Sequence, residues 1–504
     1  MPKFNKTLQI VRRALIGQGP DRLNRGGGLA YADTPLMALY RQVATSLWSG
    51  DGYYERHAEW LASFQANVAT ALAEDARFPF ALAAYARDKQ GLALRTSPLA
   101  LYVEAVAHPA TKGTGFARRY APRVMRRADE PAEAIAYFKT HHTGVLPHGM
   151  LRGIQDALRG FDEYQLAKYK GTGGSVSLRD VMRLARPKPT TEAERALWGR
   201  AVNRTLAAPD TWEVEISAAT GVDGKREAWN RLISSGKLGL FAVIRNLRNI
   251  AEAGADIETA LEQITPERVR GSGILPFQWY KAYTAVLKSH GEALAAPLQA
   301  ALETALADVD KLPGTTLVAC DNSGSMSTVR PSRGMSAAEI ANLMGALAVF
   351  VSERPLAGTF GETFALADVN PHHGLFFNKA EIDKTGLTTG HATNAWRVFE
   401  FLSRERLKVD RVIVFSDMQC YDSKARFAPG VAVSRSLAAE LDAYRQFNPA
   451  VRVYSVNLAT QDNTTQFAPD QPVVQLAGFS ESLFRFIAAM EVGDSIVDRI
   501  LADY

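Results

Sequence analysis

Cysteine is almost missing from this chain: Cys320 and Cys420 are the only two in 504 residues, and neither has a partner at CxxC spacing. A disulfide scaffold and a structural zinc site are thereby excluded, and both thiols are expected to be buried beside strand ends. Long apolar runs are lacking too. No stretch reaches 18 uninterrupted apolar residues, and Met1-Pro2-Lys3-Phe4-Asn5-Lys6 leads into no apolar segment with a cleavage site. The expectation is a cytoplasmic protein with no membrane partner. The signatures of common enzymes are also absent. Gly221-Val222-Asp223-Gly224-Lys225-Arg226 lacks the GxxxxGK[ST] pattern of a phosphate loop, and Ser323 stands outside a GxSxG elbow with no histidine nearby in sequence to act as its base.

Net charge differs in sign between the two parts of the chain. From Asp310 onward there are 18 Lys or Arg against 22 Asp or Glu; set against chain totals of 58 and 53, this leaves 40 against 31 before it, a net of +9. Most of that excess lies between His108 and Lys188, with 15 basic residues against 7 acidic. A basic segment joined to an acidic one is a candidate for a polyanion partner, although a solvated helix face has the same composition.

Strand signals are few before residue 310, where apolar residues recur at helical spacing. Leu36, Leu39, Tyr40 and Val43 form one such set, and Trp60, Leu61, Phe64, Val68 and Leu72 another. Further helices are predicted over 132–140, 147–160, 178–185, 192–207, 226–235, 239–253, 257–263 and 276–291. So many helices suit stacked hairpins better than one bundle. After Leu312-Pro313-Gly314 the pattern changes. Strands are predicted at 315–320, 359–366, 411–416 and 451–457, alternating with helices at 336–352, 393–403 and 435–447 and followed by a helix at 481–490. That alternation implies a mostly parallel, doubly wound sheet with ligands at its carboxyl edge.

Asp321-Asn322-Ser323-Gly324-Ser325 falls at such an edge, after the apolar run Leu317-Val318-Ala319-Cys320. The pentapeptide is either a polar turn or a cup of oxygen donors of the kind Mg2+ prefers. Thr393 opens a later predicted helix, and Asp417 ends the apolar run Val412-Ile413-Val414-Phe415-Ser416. Residues 310–504 resemble a von Willebrand factor A domain. By that resemblance Asp321, Ser323, Ser325, Thr393 and Asp417 match its metal-ion-dependent adhesion site, and the implied cofactor is a divalent cation, Mg2+ above all.

The first 309 residues carry a resemblance of their own. It rests on Asn24-Arg25-Gly26-Gly27-Gly28 with Ser49-Gly50-Asp51-Gly52-Tyr53-Tyr54, on Phe161 to Lys170 with Arg186-Pro187-Lys188-Pro189, and on Thr211-Trp212-Glu213 with Ile244-Arg245-Asn246-Leu247-Arg248-Asn249-Ile250. These stretches resemble the TROVE module of the Ro autoantigen family, which is joined to a von Willebrand A domain in the same order, and the whole chain resembles a bacterial-type member. The resemblance implies a HEAT-like all-α helical-repeat ring over 1–309, followed by the α/β domain over 310–504. It also implies binding of small noncoding Y-like RNA and of the single-stranded ends of misfolded RNA, in RNA quality control and without catalysis.

Lys168, Lys170, Arg186 and Lys188 fall in the segment that approaches phosphates in that family, with arginine at 186 where histidine is expected in relatives. Composition adds Arg118, Arg119, Arg123, Arg126, Arg127, His141, His142 and Arg152 as RNA-binding candidates. Adjacent histidines on a helix point about 100° apart, so His141 and His142 are not expected to share a metal. A monomer is expected, with an exoribonuclease as a possible protein partner and no DNA. The competing readings are a metal-dependent docking scaffold and, behind it, a metal-dependent nuclease.

Overall fold

The computed structural model describes residues 22–23, 29–44, 57–89, 91–92, 94–168, 175–207, 211–236, 238–270, 272, 274, 276–306, 311–330, 335–421, 435–459, 464–467, 471–478, 483–484, 487 and 496–504. Lys170, the glycines 26–28, residues 49–54 and most of the predicted 481–490 helix lie outside the described residues. The chain divides into two compact units, one of Met1–Glu74 with Val309–Asp503, the other of Asp75–Asp308 with Tyr504. The division near 309 follows the change in sequence pattern, and a second division falls at residue 75.

The first unit contains β1 (Arg22–Leu23), β2 (Leu29–Ala32), β3 (Leu312–Asp321), β4 (Ser352–Phe360), β5 (Phe364–Leu366), β6 (Arg411–Ser416), β7 (Arg452–Asn457), β8 (Thr464–Thr465) and β9 (Val473–Ala477). Six of them form one sheet in the order β5-β4-β3-β6-β7-β9. Its pairings are parallel except for the β4-β5 hairpin. All six residues of β6 are buried, as expected of a central parallel strand covered on both faces. Leu317, Val412, Val414 and Val453 share one core with Val398, Phe399, Leu402 and Tyr444 from the covering helices.

Helix Ala337–Phe350 starts at a capping box made by Ser336 and Glu339. It packs tightly on β3, because a Cβ at Gly345 would lie 2.6 Å from Cys320 Sγ. The first 74 residues contribute to this same unit. Tyr31 of β2 pairs with Thr465 of β8, and the hydroxyl of Tyr40, on helix Pro35–Ala44, donates to the Ala477 carbonyl and accepts from the Ala477 N–H.

Most predicted elements are found, with shifted ends. The expected strand at 359–366 is instead the hairpin of β4 and β5, and β4 begins at Ser352, where helix had been expected to continue. Helix Leu375–Gly386 and strand β9 had no expectation. The first has polar residues on both sides of its axis, and the second is only five residues long.

The second unit is helical throughout its described residues. Helix Phe116–Val124 packs on His148–Leu158, and helix Phe78–Arg87 on Thr96–Ala107. Gly153 sets the first of these approaches: a Cβ there would meet Ala121 Cβ at 2.5 Å and the Ala117 carbonyl at 2.9 Å. Neither atom is the end of a flexible side chain. Gly153→Val is therefore expected to destabilise this unit by about 1–3 kcal/mol, although valine forms helix more readily than glycine, and urea melts will measure the loss.

Candidate functional site

Two groups of residues carry chemistry, one in each unit. In the sheet unit, β3 ends at Asp321 and β6 at Ser416, side by side at the carboxyl edge. Asp321 and Asp417 are wholly buried, with Ser323 1%, Thr393 3% and Ser325 6% exposed. The Ser323 N–H donates to Asp321 Oδ1 at 2.9 Å, and the Ser416 hydroxyl to Asp321 Oδ2 at 2.5 Å. Ser323 Oγ and Ser325 Oγ are 3.2 Å apart. Asp417 Oδ1 accepts from the Gln419 N–H, and Met418, next to Asp417, has a φ of 60°, a conformation uncommon outside glycine.

The Thr393 loop is brought to the same place. The Gly324 N–H donates to the His391 carbonyl at 3.0 Å, and the Tyr421 N–H to the Thr393 carbonyl at 2.8 Å. Thr393 was expected to open a helix. The helix begins at Trp396, which leaves Thr393 in the buried loop before it.

Burial, and then the charge of Asp417, push the Asp321 carboxyl up to about 7. A buried carboxyl raised in this way by a second buried carboxylate, beside two hydroxyls, suits a hard divalent cation. Among the described residues there is no group of three or more His, Cys, Asp or Glu that could hold a metal, so the cup depends on hydroxyl as well as carboxylate oxygens. Ser416, which sequence reasoning did not single out, orients Asp321. The signal was its place between the apolar strand and Asp417.

In the helical unit, the basic candidates separate into two classes. Arg118 holds Asp156 through Nε at 2.6 Å and Nη2 at 3.2 Å, Arg126 holds Asp88 at 2.8 Å, and Arg127 holds Asp129 at 2.9 Å. Arg123 donates to the main-chain oxygen of Tyr504, and Arg119 lies over the Tyr120 ring. His142 faces Glu104 at 3.2 Å, His141 packs on Tyr137, and Lys168 sits over the Tyr164 ring, 3.9 Å from Glu213.

Arg152, Arg186 and Lys188 are exposed, and among the described residues none of the three forms an ion pair. Gln155, one turn beyond Arg152, donates from Nε2 to the Ala185 carbonyl at 2.5 Å, which sets helix His148–Leu158 beside the end of Leu178–Ala185, where Arg186 follows. Arg159 bonds the Lys188 carbonyl and Glu194. Arg183, also exposed, was not singled out from the sequence.

A family model described as the TROVE domain matches residues 59–207 and 197–416. The chain belongs to the TROVE domain family. The fold resembles that of the crystal structure of the Deinococcus radiodurans RO (RSR) protein, with a TM-score of 0.63 at 18% identity over 91% of this chain and 99% of that one. A comparison with curated proteins finds no match. The fold class read from the sequence, a helical region followed by an α/β domain with a mostly parallel sheet, is the one observed, except that β1 and β2 fall in the stretch expected to be all helical and residues 1–74 group with the sheet unit.

Proposed function

We propose that this TROVE protein binds RNA in the Ro manner, holding small noncoding RNA and the single-stranded ends of misfolded RNA, and that it acts by binding and not by catalysis. The observation that carries the reading is the set of exposed cations Arg152, on helix His148–Leu158, and Arg186 and Lys188, just beyond the adjoining end of Leu178–Ala185, none of which has an ion pair among the described residues. Arginines already held by carboxylates must give up those bonds to meet phosphate, whereas these three have no carboxylate partner among the described residues to give up. Arg186 presents a planar guanidinium, which can hold a phosphate through two parallel hydrogen bonds. The proposed setting is the cytoplasm, with the protein a monomer; among the described residues no helix is long and apolar enough to cross a membrane.

The test is a salt titration of binding to a hairpin RNA with a 3′ single-stranded tail. Reversing Arg152, Arg186 and Lys188 to glutamate is expected to weaken binding and to lower the salt slope by about 2–3, at roughly 0.7–0.9 per lost phosphate contact. Equal affinity of the unaltered protein for a blunt duplex would overturn the end-binding part. RNA recovered with the protein from its cells should be intact; RNA cut in a Mg2+-dependent way, with cutting stopped by Asp321→Ala, would favour a nuclease.

A second role is favoured by the buried Asp321 and Asp417 pair: docking of a protein partner through a metal. Asp321, Ser323, Ser325, Thr393 and Asp417 would hold a divalent cation, with Mg2+ the best match to these oxygens. When bound, that cation supplies positive charge that a partner's carboxylate can meet. An exoribonuclease is the proposed partner. Asp321→Ala should abolish its capture while leaving RNA affinity unchanged.

A further inference from the structure

Beside the oxygen cup runs a polar chain, buried at Asn342 and Lys379 and partly exposed at Asn322 and Asp383, that neither RNA binding nor metal donation uses. Asn322, between Asp321 and Ser323, exchanges two hydrogen bonds of 3.0 Å with the side-chain amide of Asn342, on helix Ala337–Phe350. Asn342 is only 3% exposed, and its Nδ2 also donates to Asp383 Oδ1 at 2.8 Å. Asp383 Oδ2 in turn accepts from Lys379 Nζ at 2.7 Å, and Lys379 is 4% exposed. Both belong to helix Leu375–Gly386.

The last residue of that helix is shaped to the same amide. A Cβ at Gly386 would lie 2.5 Å from Asn322 Oδ1 and 2.7 Å from its Cγ. Gly386 has no positive φ, so backbone conformation does not demand glycine here; the space taken by Asn322 does.

Such a network is not the cheapest way to fill a core. Burying amides and an ammonium carries a desolvation cost that apolar side chains of the same volume avoid, and it is offset only when every partner is in place. What this one secures is the geometry of a single residue. With its side chain held by Asn342 and its N–H donating to the Phe360 carbonyl at 3.1 Å, Asn322 is held at both ends, which aligns the Asp321 carboxylate and the Ser323 hydroxyl on either side of it.

We infer that Asn342, Asp383 and Lys379, with Gly386 leaving the room, are positioning residues for the metal cup, and that helix Leu375–Gly386 is the element that sets the cup's affinity. The inference rests on the reading of the cup as a cation site. It makes this helix a handle on the cup: whatever shifts Asp383 or Gly386 changes cation affinity without touching a donor.

Mn2+ titration of the full chain, followed by electron paramagnetic resonance, tests it with two variants. Asn342→Leu removes the amide exchange, and Gly386→Ala crowds Asn322 while keeping every hydrogen-bonding group. Each is expected to weaken Mn2+ binding 10–100-fold, the range typical of groups that orient metal ligands. Amide hydrogen exchange at residues 322–325 should quicken in both, with exchange in β6 and β7 unchanged, which separates loss of positioning from loss of the fold. Mn2+ affinity within threefold of the parent in a folded Gly386→Ala protein overturns the inference while leaving the cation site standing. If the parent itself takes up no Mn2+, the cation reading fails and the inference fails with it.

Discussion

Glu130→Ala is expected to destabilise the helical unit by about 3–5 kcal/mol. Glu130 is fully buried, and it accepts from Arg87 Nη2 at 2.8 Å and from the N–H groups of Arg126 and Arg127 at 2.7 and 3.0 Å. One carboxylate thus ties helix Phe78–Arg87 to the turn that precedes helix Glu130–His141.

Burial is the main influence on both partners, raising the Glu130 carboxyl and lowering the Arg87 guanidinium from their ordinary values. The pair is therefore costly to desolvate, and the damage from removing Glu130 comes from the buried Arg87 charge and the two N–H groups left behind. A double variant, Arg87→Met with Glu130→Leu, should recover much of the loss. Chemical denaturation of the three variants decides the matter: a double variant as unstable as the sum of the singles would show that the two residues do not act as a unit. The turn also carries Arg126 and Arg127, so its loosening should disturb their ion pairs with Asp88 and Asp129.

The second large effect is expected at the oxygen cup, as a dependence of stability on pH that a divalent cation removes. An unfolded aspartate titrates near 3.8, and in the fold Asp321 is raised to about 7 by burial and then by Asp417. Between these values the folded chain holds a proton that the unfolded chain has released, so stability falls as pH rises through that window and the full penalty is present above it. A shift of this size corresponds to at most about 4 kcal/mol.

In a chelating buffer, melting temperature should drop from pH 5 to pH 8, and Mg2+ should restore it at pH 8 far more than at pH 5. Asp321→Ala should flatten both the pH profile and the response to Mg2+, which distinguishes this site from other raised carboxyls such as Glu130 and Glu440. A parent protein whose melting temperature ignores Mg2+ at pH 8 would count against the cation site altogether.

Much of this architecture is legible in the residues because its signals are local. The runs at 317–320 and 412–416 are apolar without alternation, which only a doubly covered parallel strand requires, and Leu178–Ala185 was delimited correctly because Ser177 and Asp180 cap it and Arg186 ends it in a left-handed turn. The DNSGS loop, Thr393 and Asp417 could be named together because the resemblance to a von Willebrand factor A domain joins them; pattern placed Asp321 and Asp417 at strand ends, whereas Thr393 lies in the loop before helix Trp396–Arg404. The hairpin of β4 and β5 was not legible. Arg354, Pro355 and Gly358 are poor strand residues, and only pairing with β3 makes them one.

The basic candidates show the same limit from the other side. Composition placed Arg118, Arg126, Arg127 and Arg152 on equal terms, and distances alone separate the three that Asp156, Asp88 and Asp129 hold from Arg152, which has no ion pair among the described residues. Helix periodicity, strand runs, the change of pattern near 310 and the family were all determined by the order of residues, since each depends on neighbours a few positions apart. The grouping of residues 1–74 with the sheet unit, the mutual burial of Asp321 and Asp417, and the chain from Asn322 to Lys379 were decided only by the tertiary structure. Each depends on residues brought together from distant parts of the chain, and no local pattern records which of them will meet.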